Sequence, residues 1–328
     1  MRTFAYDRPG TVADAIAAGG SAQYLAGGTT MLDLMKLGVL HPQALVDIGG
    51  LRQEHSAIQA DADGLHIGGL ARMADVAGHP AVLRDYPVIA QSLQLAASPQ
   101  LRNMASIAGN VLQRTRCSYF RDPSWRECNK REPGSGCAAI GGVNRLLAVL
   151  GVSEHCIAHY PGDFANALAA LGAEVELAGP DGARRLPFEE LHRVPGDTPH
   201  IETNLRPGEL ITGFRVPAAP WMRRSLYLKI RDRESYAFAI ASAAVALDLD
   251  GGVVREARVA LGGLAAKPWR SHAAEAVLQG RELTEAAATE AATAAFRDAV
   301  THEQTAFKPE LGRRTLVRAL LDAGALEI

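Results

Sequence analysis

Hydrophobic positions change period along this chain, and each change marks an element. Thr11 can cap a helix that carries Val12, Ala15 and Ile16 on one face. Tyr24-Leu25-Ala26 reads as a short buried strand, and Gly27-Gly28-Thr29-Thr30 follows as a tight turn. Met31, Leu34 and Met35 then recur at helical spacing. Leu45-Val46-Asp47-Ile48 predicts a second strand, closed by Gly49-Gly50. A new unit opens at Leu65-His66-Ile67-Gly68-Gly69, and Val88, Leu93 and Ala96 predict a helix that ends near Ser98-Pro99.

From Val111 to Pro161 the periodicity stops, and Arg, Pro, Gly and Cys accumulate. A plain loop of that length is uncommon inside a compact domain and points to function or disorder. Regular patterns return as a helix at Phe164 to Leu171 and a strand at Ala173 to Leu177, with Asp181-Gly182 as a hairpin turn. Glu209 to Pro217 reads as the last strand of this unit, and Pro217-Ala218-Ala219-Pro220 as a domain boundary. Beyond it, Phe238 to Leu249 and Val253 to Leu261 flank Asp250-Gly251-Gly252, a β-hairpin signal. Alanine-rich helices are predicted over Thr284 to Val300 and Arg313 to Leu326. No internal repeat of fixed period is present.

The 328 residues, 48% hydrophobic, suffice for two or three domains. A formal net charge of −2 offers no basic surplus for nucleic acid. No apolar stretch approaches the roughly 20 residues that span a bilayer. Met1 to Gly10 lacks the apolar core of a secretory signal, so assembly in the cytoplasm is expected. Export to the periplasm would then have to be driven by a signal-bearing partner. No Ser-His-Asp, metal-hydrolase or paired-carboxylate site stands out.

Two segments carry candidate binding chemistry. Leu25-Ala26-Gly27-Gly28-Thr29-Thr30-Met31 places a glycine pair between strand and helix. There the backbone can approach a ligand, several N–H groups converge, and the Thr hydroxyls can donate. That combination suits a pyrophosphate, although glycine first of all marks a turn. The stretch Ala97 to Asn110 is the second, with Ala105, Ser106, Ala108 and Gly109 again permitting close backbone approach. The plain alternative is a tightly packed loop.

The four cysteines, Cys117, Cys128, Cys137 and Cys156, all lie in the irregular stretch, spaced Cys-x10-Cys-x8-Cys-x18-Cys. Core cysteines would scatter. Four thiolates can hold a 4Fe–4S cluster. They can hold a structural zinc, though zinc ligands usually come in close pairs, or form two disulfides in an oxidising compartment. Free thiols are the remaining reading.

Taken together and in this order, the segments resemble the FAD-binding subunit of the molybdenum hydroxylases, the family of xanthine dehydrogenase and carbon monoxide dehydrogenase. The resemblance covers nearly the whole chain and includes Ala173 to Leu177, Glu209-Leu210-Ile211, Leu228-Lys229-Ile230-Arg231 and Ala260 to Pro268. It implies an α+β fold: a two-subdomain FAD-binding domain over residues 1–217, divided near residue 55 and carrying an insertion at 111–161. A C-terminal α+β domain with an antiparallel sheet would follow over 218–328. It also implies roles. Leu25, Ala26, Gly27, Gly28, Thr29, Thr30 and Met31 would hold the FAD diphosphate, and Ser106, Gly109 and Asn110 would line its second side. Asp163 would bind a ribose or adenine-side hydroxyl, and Ile211 and Lys229 would lie near the flavin, where a cation favours the anionic reduced form. The chain departs from the family at Thr30, where an acidic residue is common, and at Ala108, where a second glycine is common.

Most members run directly from the position of Asn110 to that of Asp163. A cysteine-bearing insertion there resembles a smaller branch, which includes 4-hydroxybenzoyl-CoA reductase and the bacterial periplasmic aldehyde oxidoreductases. In that branch the insertion binds a 4Fe–4S cluster, and the stretch Cys128 to Cys137 looks close to the aldehyde oxidoreductase type. By that resemblance Cys117, Cys128, Cys137 and Cys156 are the ligands. Gly134 and Gly136 would turn N–H groups toward cluster sulfurs, and Lys130 and Arg131 would offset its charge. His155 and His159 could substitute as ligands but read better as supporting or surface groups, and Tyr119, Phe120 and Trp125 as packing. The implied function is electron transfer between a large molybdenum-cofactor subunit, a small 2Fe–2S subunit and an external acceptor. The alternatives are a self-sufficient FAD oxidoreductase with a zinc-stapled loop and a nucleotide-binding scaffold without activity.

Overall fold

A computed structural model describes residues 2–328. The N-terminal part forms a small parallel sheet of β1 (Ala5–Asp7), β2 (Gln23–Leu25) and β3 (Ala44–Asp47), in the order β1-β3-β2. Parallel neighbours need crossover connections, and the helices Val12–Ala18 and Met31–Lys36 supply them. Thr11 caps the first, its hydroxyl accepting from the Asp14 N–H at 3.1 Å, as the sequence predicts.

A second sheet, of order β4-β5-β8-β6-β7, is wholly antiparallel and joins β4 (Ile58–Asp61), β5 (Gly64–Gly68), β6 (Glu174–Gly179), β7 (Gly182–Pro187) and β8 (Leu210–Pro217). Alternate residues Leu65, Ile67, Val175, Leu177, Phe214 and Val216 face one core, where the helices Pro87–Gln94 and Phe164–Ala170 cover them. The turn of the β6–β7 hairpin is Pro180-Asp181, with Gly182, at φ +100°, already the first residue of β7. The edge strand β4 escapes the hydrophobic pattern because three of its four residues are exposed.

The third sheet, β12-β11-β10-β9, consists of β9 (Ser225–Ile230), β10 (Ala241–Asp250), β11 (Val253–Gly262) and β12 (Trp269–Arg270). The hairpin turn Gly251-Gly252 has φ +57° and +89°, the left-handed pair that two-residue hairpins demand. Both faces of β10 are covered. Ala244 and Ala246 join the core of the second sheet, while Ala243, Val245 and Leu247 pack on the helices Glu285–Ala295 and Lys308–Gly324. A strand buried on both sides reads as a continuous apolar run, which is why its start is blurred in sequence: the predicted strand begins at Phe238, yet Phe238 is exposed and pairing starts at Ala241.

The helices also shift from their predicted bounds. Thr284 is the cap of its helix, accepting from the Ala287 N–H, and the helix ends at Ala295. The last one starts at Lys308, ahead of the predicted Arg313, because Pro309 is tolerated in a first turn. The stretch 111–161 has one short helix, Ser118–Arg121, and is otherwise irregular. It is nonetheless packed: Cys117, Phe120, Cys128, Leu147, Cys156 and Ile157 form a core with Leu34 and Val39, which lie on and just after the Met31–Lys36 helix.

Candidate functional site

The glycine turn and the second small-residue segment meet back to back. Leu25 to Met31 are all half-buried. A Cβ at Gly27 would sit 2.1 Å from the Met104 carbonyl oxygen, so only glycine lets the two backbones touch. Gly28 has φ +73°, and the Leu32 N–H closes on its carbonyl at 3.1 Å to start the next helix. That helix has six residues, so converging N–H groups rather than a long dipole are what the turn offers an anion.

Ser106 caps the Ile107–Val111 helix, its Oγ accepting from the Gly109 N–H at 3.2 Å, and its own O–H remains to donate. Ala108 N–H bonds the Gly69 carbonyl at 2.9 Å, and Gly69 N–H bonds that of Thr212 at 2.8 Å. A Cβ on Gly69 would lie 2.5 Å from the Ile211 oxygen. Leu25–Met31, Ser106–Asn110 and Ile211 therefore form one continuous seam. Asn110 Nδ2 donates to the Met73 sulfur at 3.4 Å, while its buried Oδ1 has no partner. A buried acceptor without a donor is costly in a finished protein. The seam of bare backbone and this orphaned oxygen both fit a bound dinucleotide.

Asp163 and Lys229 are both buried and face each other. Lys229 Nζ lies 2.8 Å from Asp163 Oδ2 and 3.0 Å from the Leu95 carbonyl, and the lysine side chain is 1% exposed. Tyr227 Oη donates to the other carboxylate oxygen at 2.7 Å. Burial pushes the Asp163 carboxyl up, and Lys229 pulls it back only in part. Two residues expected at different parts of a ligand thus meet as one buried ion pair. The pair fixes Leu95, just ahead of Ala97, which has φ +48°, and of the Pro99–Met104 helix that leads to Ser106.

The four cysteines line one small, tightly packed space. A turn with left-handed glycines, Gly134 at +84° and Gly136 at +100°, brings Cys128 opposite Cys137. Asn129 locks it: its N–H bonds the Gly136 carbonyl at 2.7 Å, and its Oδ1 accepts from Gly136 N–H at 2.9 Å. Its Nδ2 donates to the His155 carbonyl at 3.0 Å, tying in the bridge between Ser153 and Cys156. Arg131 donates to the carbonyls of Tyr119 and Phe120 and so holds the Cys117 arm. Tyr119 and Phe120 are buried as expected, but Trp125 is half exposed, edge-on to Tyr119.

No disulfide joins the cysteines. Burial pushes the Cys117 thiol up to about 12 and the Cys156 thiol up to about 11. Among the described residues no group of three or more His, Cys, Asp or Glu is drawn together as for a single ion. The donor set, four thiols lining one small space, fits an iron–sulfur cluster and a structural zinc alike. His155 lines this space, whereas His159 lines the neighbouring polar cavity, fully buried, with Nδ1 unpartnered.

Sequence reasoning misses the contacts that join the two sites. Arg121 reaches Asp33 at 2.7 Å and Arg116 reaches it at 3.5 Å, clamping the insertion to the helix that follows the glycine turn. Glu202, half-buried, accepts from Arg114 at 2.9 Å and Lys130 at 3.0 Å. These partners are dozens of positions apart, and no local pattern marks them.

Residues 2–219 match the profile described as the FAD binding domain in molybdopterin dehydrogenase, and residues 226–328 that of the CO dehydrogenase flavoprotein C-terminal domain. The chain is 46% identical over 330 residues to the aldehyde oxidoreductase FAD-binding subunit PaoB of Escherichia coli (strain K12), covering 99% of both. It is 27% identical to the carbon monoxide dehydrogenase medium chain of Afipia carboxidovorans, over 91% of this chain and 87% of that one. A solved structure of carbon monoxide dehydrogenase from Hydrogenophaga pseudoflava superposes with a TM-score of 0.76 at 27% identity, over 99% of this chain and 98% of that one.

Proposed function

We propose a function from one premise: the chain belongs to the family of FAD-binding subunits of molybdenum hydroxylases. Its relatives are FAD subunits of oxidoreductases, and it is an oxidoreductase subunit of the same kind. On our reading FAD lies along the seam of Leu25–Met31, Ser106, Gly109, Asn110 and Ile211. Backbone N–H groups of the glycine turn receive the diphosphate, and Asn110 Oδ1 accepts from the cofactor. Asp163 and Lys229 act as one pair that holds the approach to this seam in place. The division near residue 217 between the FAD-binding and C-terminal parts belongs to the same proposal.

Cys117, Cys128, Cys137 and Cys156 hold a 4Fe–4S cluster. The observation that carries this is the convergence of all four cysteines on one small space, packed against the helix that leaves the glycine turn. When bound, the two groups supply one- and two-electron transfer. This chain positions them and keeps water from the cysteines. An aldehyde-type substrate is oxidised on a large molybdenum-cofactor subunit, and the electrons pass a small 2Fe–2S subunit on their way through this chain to an external acceptor. Among the described residues no helix is long and apolar enough to cross a membrane.

The complex purified without air is expected to contain FAD and about four extra iron atoms per copy of this chain. Cys128→Ser should lose that iron and keep its flavin. Unchanged iron in the variant, or zinc in place of iron, would overturn the cluster and favour a zinc-stapled flavoprotein.

A further inference from the structure

A cluster on four thiolates carries net negative charge, so fixed charges nearby set how readily it accepts an electron. Of the two adjacent basic residues, the structure gives only one that opportunity. Arg131 is committed to the carbonyls of Tyr119, Phe120 and Trp125 and is a staple of the loop. Lys130 is the one lysine or arginine, among the described residues, that lines the cysteine space. Its side chain is 13% exposed, and its Nζ is pinned between the Glu202 carboxylate at 3.0 Å and the Pro199 carbonyl at 3.1 Å. Glu202 is shared with Arg114, which it binds through both oxygens. Two cations thus divide one anion, and the group retains positive charge beside the cysteines.

We propose that Lys130, held by the Pro199 carbonyl and Glu202 together, raises the reduction potential of the cluster held by the four cysteines. The proposal rests on the cluster reading above. In a poorly solvated site a nearby cation favours the more negative, reduced form, and screening by water or salt is weak. Glu202 has two opposed effects. It holds the ammonium in place, and its own charge offsets part of that ammonium. Because the Pro199 carbonyl also holds Lys130, loss of the Glu202 charge leaves the cation where it is.

The test is a redox titration of the intact complex, with the cluster followed by low-temperature electron paramagnetic resonance and the flavin by absorbance. Lys130→Met should lower the reduced-to-oxidised ratio of the cluster about tenfold at fixed potential, equivalent to about 59 mV for one electron. Glu202→Gln should move it the opposite way. Lys130→Arg should restore the wild-type value, and Arg126→Met, an equal charge change at an exposed residue of the same loop, should leave it in place. The flavin potential should not follow. Opposite shifts support the proposal, because a packing role gives both variants the same sign. Unmoved potentials, or shifts of like sign, overturn it. If Lys130→Met fails to retain iron, Lys130→Gln, which keeps a donor for Glu202 and the Pro199 carbonyl, takes its place, and an unmoved potential in it overturns the proposal. A wild-type complex without the extra iron overturns the cluster reading itself, which iron content reveals before any titration.

Discussion

Gly27 is the residue on which the flavin seam turns. Its missing Cβ lets Leu25–Met31 lie on Met104–Ala105, and an added methyl would stand 2.1 Å from a carbonyl oxygen. Neither backbone can yield cheaply, and over-packing of this kind costs about 1–3 kcal/mol. Gly27→Ala is therefore expected to drop flavin content several-fold while the protein remains folded, as read by bound-FAD absorbance against circular dichroism. At Gly142 the obstacle to a Cβ is instead the Tyr119 hydroxyl at 2.1 Å, on the cysteine side. Alanine there should disturb iron content before flavin content.

At the scale of elements, the buried Asp163–Lys229 pair ties β9 to the approach of the Phe164–Ala170 helix and to Leu95. Removing one member leaves an uncompensated charge in the interior, which typically costs 3–5 kcal/mol. Lys229→Met should lower the unfolding midpoint by several degrees. The double variant Lys229→Met with Asp163→Asn should regain part of the loss, as a double-mutant cycle in urea would measure. If Lys229 served only as a flavin-side charge, the second substitution would recover no stability. The cysteine insertion is joined to the glycine turn in a comparable way, through Asp33 with Arg121 and Arg116. That clamp is partly exposed, and exposed ion pairs contribute little, about 0–1 kcal/mol. It fixes geometry more than stability.

At the scale of the molecule, two buried histidines set a response to acid. Burial lowers His159 to about 3 and His192 to about 4, against an ordinary value of 6.5. The unfolded chain binds protons below 6.5 that the folded chain refuses, so their effect on stability runs one way. It is complete above about pH 6.5 and is lost as the pH falls from there toward 4 and then 3. Each histidine contributes a slope on the order of 1.4 kcal/mol per pH unit. Urea midpoints at pH 7 and pH 5 should differ markedly, and His192→Gln should flatten that dependence. Both side chains line the polar cavity beneath the insertion, so acid should loosen this region early.

Much of this was legible in the chain because it depends on neighbours in sequence. The Thr11 cap, the Gly251-Gly252 hairpin, the glycine turn and the confinement of all four cysteines to one irregular stretch follow from local geometry and composition. Together they determined two glycine-lined segments, a thiolate-rich insertion and an α+β chain resembling flavin subunits. The boundaries blurred where burial on both faces erased the alternation, as in β10, or where exposure removed it, as in β4. Only the tertiary structure decided which charges meet. Asp163 joins Lys229 across 66 positions, Glu202 joins Arg114 across 88, and Lys130, rather than Arg131, lines the cysteine space. The reason is physical: a buried charge must be paired wherever the fold brings an opposite one within reach, and no rule acting between chain neighbours can name a partner that packing alone delivers.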